Sequence, residues 1–154
     1  MKTRTLVAAA MGVAVSTAFG LSAMAGTPTL VNYKIIGESS IPKSLTGKPG
    51  NSKKGRKLAV HRKKGNCLAC HKMPIPEQQF HGEIGPDLAG VGSRYSAGEL
   101  RLLIVNPKVV NEDTIMPAFY KNTGFNAVLK KFKGKTVISA QDVEDIIAYL
   151  LTLK

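Results

Sequence analysis

The sequence predicts a small all-α domain with long loops. Three observations lead there. Val143, Ile146, Ile147, Leu150 and Leu151 recur at the spacing of one helix face. Leu100, Leu103 and Ile104 follow Ser96 and Glu99, which stand at capping-box spacing. No stretch alternates apolar and polar residues as a half-buried strand would. The 154 residues suffice for one domain and not comfortably for two.

Taken in order, residues 1–25 read as a cleaved secretory signal. Lys2 and Arg4 precede an apolar run from Leu6 to Leu21, and Ala23-Met24-Ala25 offers small residues at the two positions a signal peptidase reads. The run is short for a membrane anchor, and no later segment is long and apolar enough to cross a bilayer. The mature protein is therefore expected to be soluble, without membrane attachment, and outside the cytoplasm. Residues 26–51 are rich in Gly, Pro, Ser, Thr and Lys and read as an extended arm lying on the domain or on a partner. Residues 52–154 form the domain proper. A first helix starts near Ser52 and runs to about Lys63, with Gly55, Leu58, Ala59 and Arg62 on one side. Met73 to Arg94 reads as loop. The second helix opens at Ser96 and stops before Pro107. Residues 106–135 are again loop-rich. The last helix opens at Ser139, with Asp142 three residues on, and Lys154 is placed to complement the dipole at its end.

The formal charge is +12, and removal of Lys2 and Arg4 would leave +10. Such a balance speaks for an acidic partner or an anionic substrate. Export argues against nucleic acid.

The two cysteines stand as Cys67-Leu68-Ala69-Cys70, with His71 directly after. Cys-x-x-Cys-His is the attachment pattern of c-type haem. Two thiols add to the vinyl groups on one porphyrin edge, and the next residue brings an imidazole under the iron. A thioredoxin-like reading of Cys-x-x-Cys needs strands, which are missing. Zinc needs further ligands, and only His61 and His81 remain. A haem also answers the objection that long loops raise in a small helical domain, because it gives them an apolar body to pack on.

Met116, followed by Pro117 in a loop, is the candidate sixth ligand; the plain alternative is a core methionine. Met73 is too close to His71 to reach the opposite face. His81 or His61 would give bis-histidine ligation. His/Met ligation raises the potential and leaves no open iron position, which suits electron transfer. The second nitrogen of His71 needs an acceptor, and the Pro86 carbonyl in Gly85-Pro86-Asp87-Leu88 is the candidate. Arg94 and Tyr95 are candidates for hydrogen bonds to a haem propionate.

Beyond the haem motif, the runs Gly85-Pro86-Asp87-Leu88-Ala89-Gly90-Val91-Gly92-Ser93-Arg94-Tyr95, Asn106-Pro107-Lys108, Met116-Pro117-Ala118-Phe119-Tyr120 and Val143-Glu144-Asp145-Ile146-Ile147-Ala148-Tyr149-Leu150 resemble the SoxX family. These are the small cytochrome subunits of the SoxAX complex of bacterial thiosulfate oxidation. The resemblance covers about Ile41 to Lys154. It implies a class I cytochrome c fold with long loops around one covalent haem c, plus the N-terminal arm. It implies that Gly55 on the first helix meets Tyr149 on the last, and that His71 and Met116 are the axial ligands. It further implies a SoxA-like cytochrome partner in a heterodimer, a SoxYZ carrier whose cysteine receives thiosulfate, a downstream electron acceptor, and a periplasmic location. The chain has no thiol to spare once haem is attached, so the sulfur chemistry of such a thiosulfotransferase is expected on the partner.

Lys53, Lys54, Arg56, Lys57, Arg62, Lys63 and Lys64 crowd the approach to Cys67 with no acid among them. They read either as a docking surface or as a solvated helix face. Two other functions compete with the leading one: a free electron carrier without an enzymatic partner, and a small haem peroxidase with an open iron position.

Overall fold

The computed structural model describes residues 30–154. The expected signal segment 1–25, and 26–29 of the arm, lie outside the described residues. Four helices form: α1 Ser52–Val60, α2 Val91–Arg94, α3 Ala97–Val105 and α4 Ala140–Leu150. Three short 3-10 turns, Cys67–Ala69, Pro107–Val109 and Lys130–Phe132, stand between them. Among the described residues there is no strand, only an isolated bridge between Ile36 and Ser40.

The capping boxes are formed. The Ser96 hydroxyl accepts from Glu99 N–H, and the Glu99 carboxylate accepts from Ser96 N–H at 2.8 Å. Ser139 and Asp142 do the same for α4. Val143, Ile146, Ile147 and Leu150 are buried, together with Leu100, Leu102, Ile104 and Val105 of α3. α1 packs chiefly on α4. The crossing is possible only because residue 55 is glycine: a Cβ there would collide with the Asp145 carbonyl and the Tyr149 side chain.

Four features depart from the sequence reading. α1 stops at Val60, because His61 is extended and its Nδ1 accepts from Lys63 N–H at 3.1 Å, a local bond that competes with the helix. Val91–Arg94 is a single helical turn, too short for periodicity to reveal. Lys154 does not serve the end of α4; its ammonium donates to Gly92 O at 2.6 Å and ties the chain end to α2. The polar side of α4 is not left to water. Glu144 is buried, forms a two-pronged pair with buried Arg101 of α3 (2.8 Å for each prong), and also accepts from Leu45 N–H. Arg101 donates as well to Ile41 O, and Asp145 accepts from Asn51 N–H at 2.8 Å. Residues 41–51 are thereby laid along α3 and α4, with Ile41 and Leu45 in the core.

Candidate haem site

The site begins with the turn Cys67–Ala69. Cys70 N–H and His71 N–H both donate to Cys67 O, at 3.1 and 2.9 Å, which winds the two cysteines and the histidine into one tight turn. Leu68 anchors it in the core, and Gly82 N–H donates to Leu68 O at 2.8 Å. The His71 ring is fixed on one side. Its Nδ1–H donates to Pro86 O, 2.7 Å away. With the proton on Nδ1, Nε2 keeps its lone pair for a metal. Gly85 backs the ring so closely that any Cβ there would collide with three of its atoms. Gly85 N–H donates to Cys70 O and Leu88 N–H to Lys72 O, holding this loop against the segment that carries His71.

Both thiols are free and half-buried. Burial pushes the Cys67 thiol up to about 11, against an opposing pull from its own backbone N–H and with a lesser rise from nearby Cys70. A thioredoxin-type cysteine has a lowered pKa, so the redox-thiol alternative loses its physical basis. Among the described residues no group of three or more His, Cys, Asp or Glu converges to hold a metal.

The two remaining histidines are differently placed. His81 uses both ring nitrogens to close its own loop: Nδ1 accepts from Met73 N–H at 3.2 Å and Nε2–H donates to Gln78 O at 3.0 Å. No lone pair is left for iron. His61 is exposed beyond the end of α1. Met73 is buried in the core. Met116 is half-buried, its N–H donating to Thr114 Oγ1 at 3.2 Å. Its loop is drawn together by Lys108, whose ammonium donates to Glu112 O and Thr114 O. Phe119 N–H donates to Ile104 O, which ties the residues after Pro117 to α3.

Arg94 takes a place that the sequence did not reveal. Its guanidinium donates to Ala89 O at 2.7 Å and Asp87 O at 2.8 Å, both in the loop that carries Pro86. Tyr95 is exposed. Of the basic run, two members have acidic partners brought from elsewhere: Arg56 pairs with Glu77, and Lys64 lies 3.8 Å from Asp142. Lys53, Lys54, Lys57, Arg62 and Lys63 are exposed.

These residues fit a c-type haem. Two free thiols flank one turn, and an imidazole with its free nitrogen is fixed beside them. Large apolar side chains lie uncovered next to the site in sequence: Phe80 is 86% exposed, Ile84 69% and Ile115 78%. Exposure of that size asks for a covering group.

Comparison with known proteins points the same way. The family model described as cytochrome c matches residues 52–154. Among solved structures, a chain in the crystal structure of SoxXA from P. pantotrophus is 39% identical, with a TM-score of 0.72. The match covers 80% of this chain and 94% of that one. A search of the curated proteins returns no match.

Proposed function

This chain belongs to the cytochrome c family, and from that premise we propose that it is a SoxX-type subunit, passing electrons for a complex that couples thiosulfate to a carrier-protein cysteine. The observation that carries this reading is the 39% identity to a SoxXA chain over nearly that chain's whole length. A haem c, one per chain and covalently held, belongs to this family and supplies one-electron chemistry at iron when bound.

The roles of the chain's own residues follow. Cys67 and Cys70 hold the porphyrin edge. His71 Nε2 would hold the iron, its tautomer and orientation kept by Pro86 O. Met116 would supply a second iron ligand, since His81 is committed to its own loop. Ligation by both His71 and Met116 would leave oxygen and peroxide no open site, which disfavours a peroxidase. With both cysteines used, no nucleophilic sulfur is left to accept a thiosulfate group. The bond to the SoxYZ-type carrier is then made on a SoxA-like partner, and this chain takes the electrons released and passes them to a downstream acceptor. Residues 1–25 act as the export signal that places the chain in the periplasm, where the two thiols meet haem. No helix among the described residues is long and apolar enough to cross a membrane.

Gel filtration of the haem-loaded chain with and without a SoxA-type subunit tests the reading. A stable one-to-one complex is expected. Independent migration at micromolar concentrations would count for a free electron carrier instead. The exposed basic residues of α1 and the segment after it fit docking of an acidic acceptor, and an electron-transfer rate that falls with added salt supports that use.

A further inference from the structure

We infer that Arg94 is a positioning residue for the proximal iron ligand, acting through the backbone of the loop that carries Pro86. The inference rests on the reading of His71 as that ligand. It comes from a peptide-by-peptide account of the loop. The Pro86–Asp87 peptide supplies the carbonyl that receives the His71 Nδ1–H. Among the described residues, no hydrogen bond holds the N–H end of that same peptide. Its orientation is therefore set by its neighbours. Upstream, the proline ring fixes φ, and Gly85 N–H is bonded to Cys70 O at 2.7 Å. Downstream, the Asp87–Leu88 peptide is gripped at both ends: its N–H by Lys72 O at 2.9 Å, and its carbonyl by Arg94 Nη2 at 2.8 Å.

The other arm of the guanidinium, Nη1, takes Ala89 O at 2.7 Å. One planar fork thus gives each of two loop carbonyls its own donor nitrogen, which a lysine would have to serve from a single ammonium. Arg94 is exposed and sits in the single turn α2, so neither core packing nor helix propensity explains the arrangement. A charged donor on a neutral carbonyl is also among the stronger hydrogen bonds. Without this fork, Asp87 O is freed. The Pro86–Asp87 peptide can then rock about its own axis, and the Pro86 O···His71 bond opens more often.

The test uses the haem-loaded full chain. In proton NMR of the oxidised protein, the His71 Nδ1–H is expected as a hyperfine-shifted, slowly exchanging signal. Arg94→Gln should speed its exchange with solvent about tenfold, the factor corresponding to the net worth of one hydrogen bond. The reduction potential should shift with it. Arg94→Lys, which offers one donor nitrogen in place of two, should fall between. A potential that shifts while the Nδ1–H exchange rate stays at the wild-type value would mean that Arg94 acts at the porphyrin edge, and would overturn the inference. No change in either quantity would overturn it too. A wild-type chain that lacks the shifted signal would remove His71 as the ligand, and this role with it, a result distinct from failure at Arg94 alone.

Discussion

Two loops carry the residues assigned to the two faces of the iron, and they are built differently. In the loop from Gly85 to Gly90, the backbone is bonded to Cys70 O and Lys72 O, clamped by Arg94 at two carbonyls, and closed on itself by the Asp87 carboxylate at Ala89 N–H. The His71 ring is already oriented, with glycine backbone pressed against it. Around Met116 the ties are fewer. Lys108 draws two carbonyls together and Thr114 caps Met116 N–H, yet Ile115 and Pro117 on either side are exposed. Beyond Tyr120, Phe125, Leu129 and Phe132 are all exposed, and the turn Lys130–Phe132 buries nothing. The proximal face is thus pre-formed by hydrogen bonds, whereas the distal loop depends on a ligand bond and an apolar body to complete it. On the proposed assignment, such asymmetry would make His71 the more firmly held ligand and Met116 the more readily displaced one.

The comparison can be broken most severely by removing the body that both loops are built to meet. Cys67→Ser combined with Cys70→Ser should leave no haem on the denatured chain and abolish the cooperative thermal transition, followed by circular dichroism. Persistence of a sharp transition would mean that the distal loop closes without help.

The buried pair of Arg101 and Glu144 supplies the contrast from a region neither loop carries. Arg101→Ala strands a buried carboxylate and should cost about 3–5 kcal/mol in denaturant unfolding. The visible spectrum and the reduction potential should nevertheless stay at wild-type values, since the pair holds residues 41–45 against α3 and α4. A changed spectrum would show the arm to be part of the iron environment.

Met116→Ala probes the weaker loop directly. It should convert a low-spin oxidised spectrum to one with altered sixth-ligand features, lower the potential and cost about 2 kcal/mol, at the low end for a methionine truncation because Met116 is only half-buried. Met116→His should restore a low-spin spectrum at a lower potential. Spectra unchanged in both variants would move the sixth ligand to a histidine.

The smallest effect belongs to the α3 cap, at the junction of the two loops. The Ser96 hydroxyl, and after it the Ser96 N–H, hold the Glu99 carboxyl below the usual carboxylate range. A lowered folded pKa means a contribution present above the unfolded value and lost as pH falls through the folded one. The melting temperature of the wild type should fall slightly more on acidification through that range than that of Glu99→Gln. Parallel curves would mean that the charge of Glu99 adds nothing to the cap.

Much of the proximal face was legible because it is local in sequence. Cys67, Cys70 and His71 fall within one turn, and Pro86 was a foreseeable acceptor in a turn-forming run. The caps at Ser96 and Ser139 read out three residues ahead, as capping boxes do. What escaped depends on contacts that sequence spacing does not encode. The carbonyl contacts of Arg94 escaped, since nothing in Ser93-Arg94-Tyr95 says that its fork turns back five and seven residues. Arg101 and Glu144 are 43 positions apart, and no local spacing rule links them. His81 was an open alternative until its two nitrogens were seen to be spent on Met73 and Gln78. The basic run looked uniformly unpaired because Glu77 and Asp142 arrive through folding.

Everything above turns on a porphyrin bonded through Cys67 and Cys70. Intact mass spectrometry of the purified, acid-denatured mature chain tests this most directly. The expected result is a single species heavier than the polypeptide by one haem, resistant to solvent extraction. A species at the bare polypeptide mass would contradict the assignment of the site, its ligands and the electron-transfer role alike.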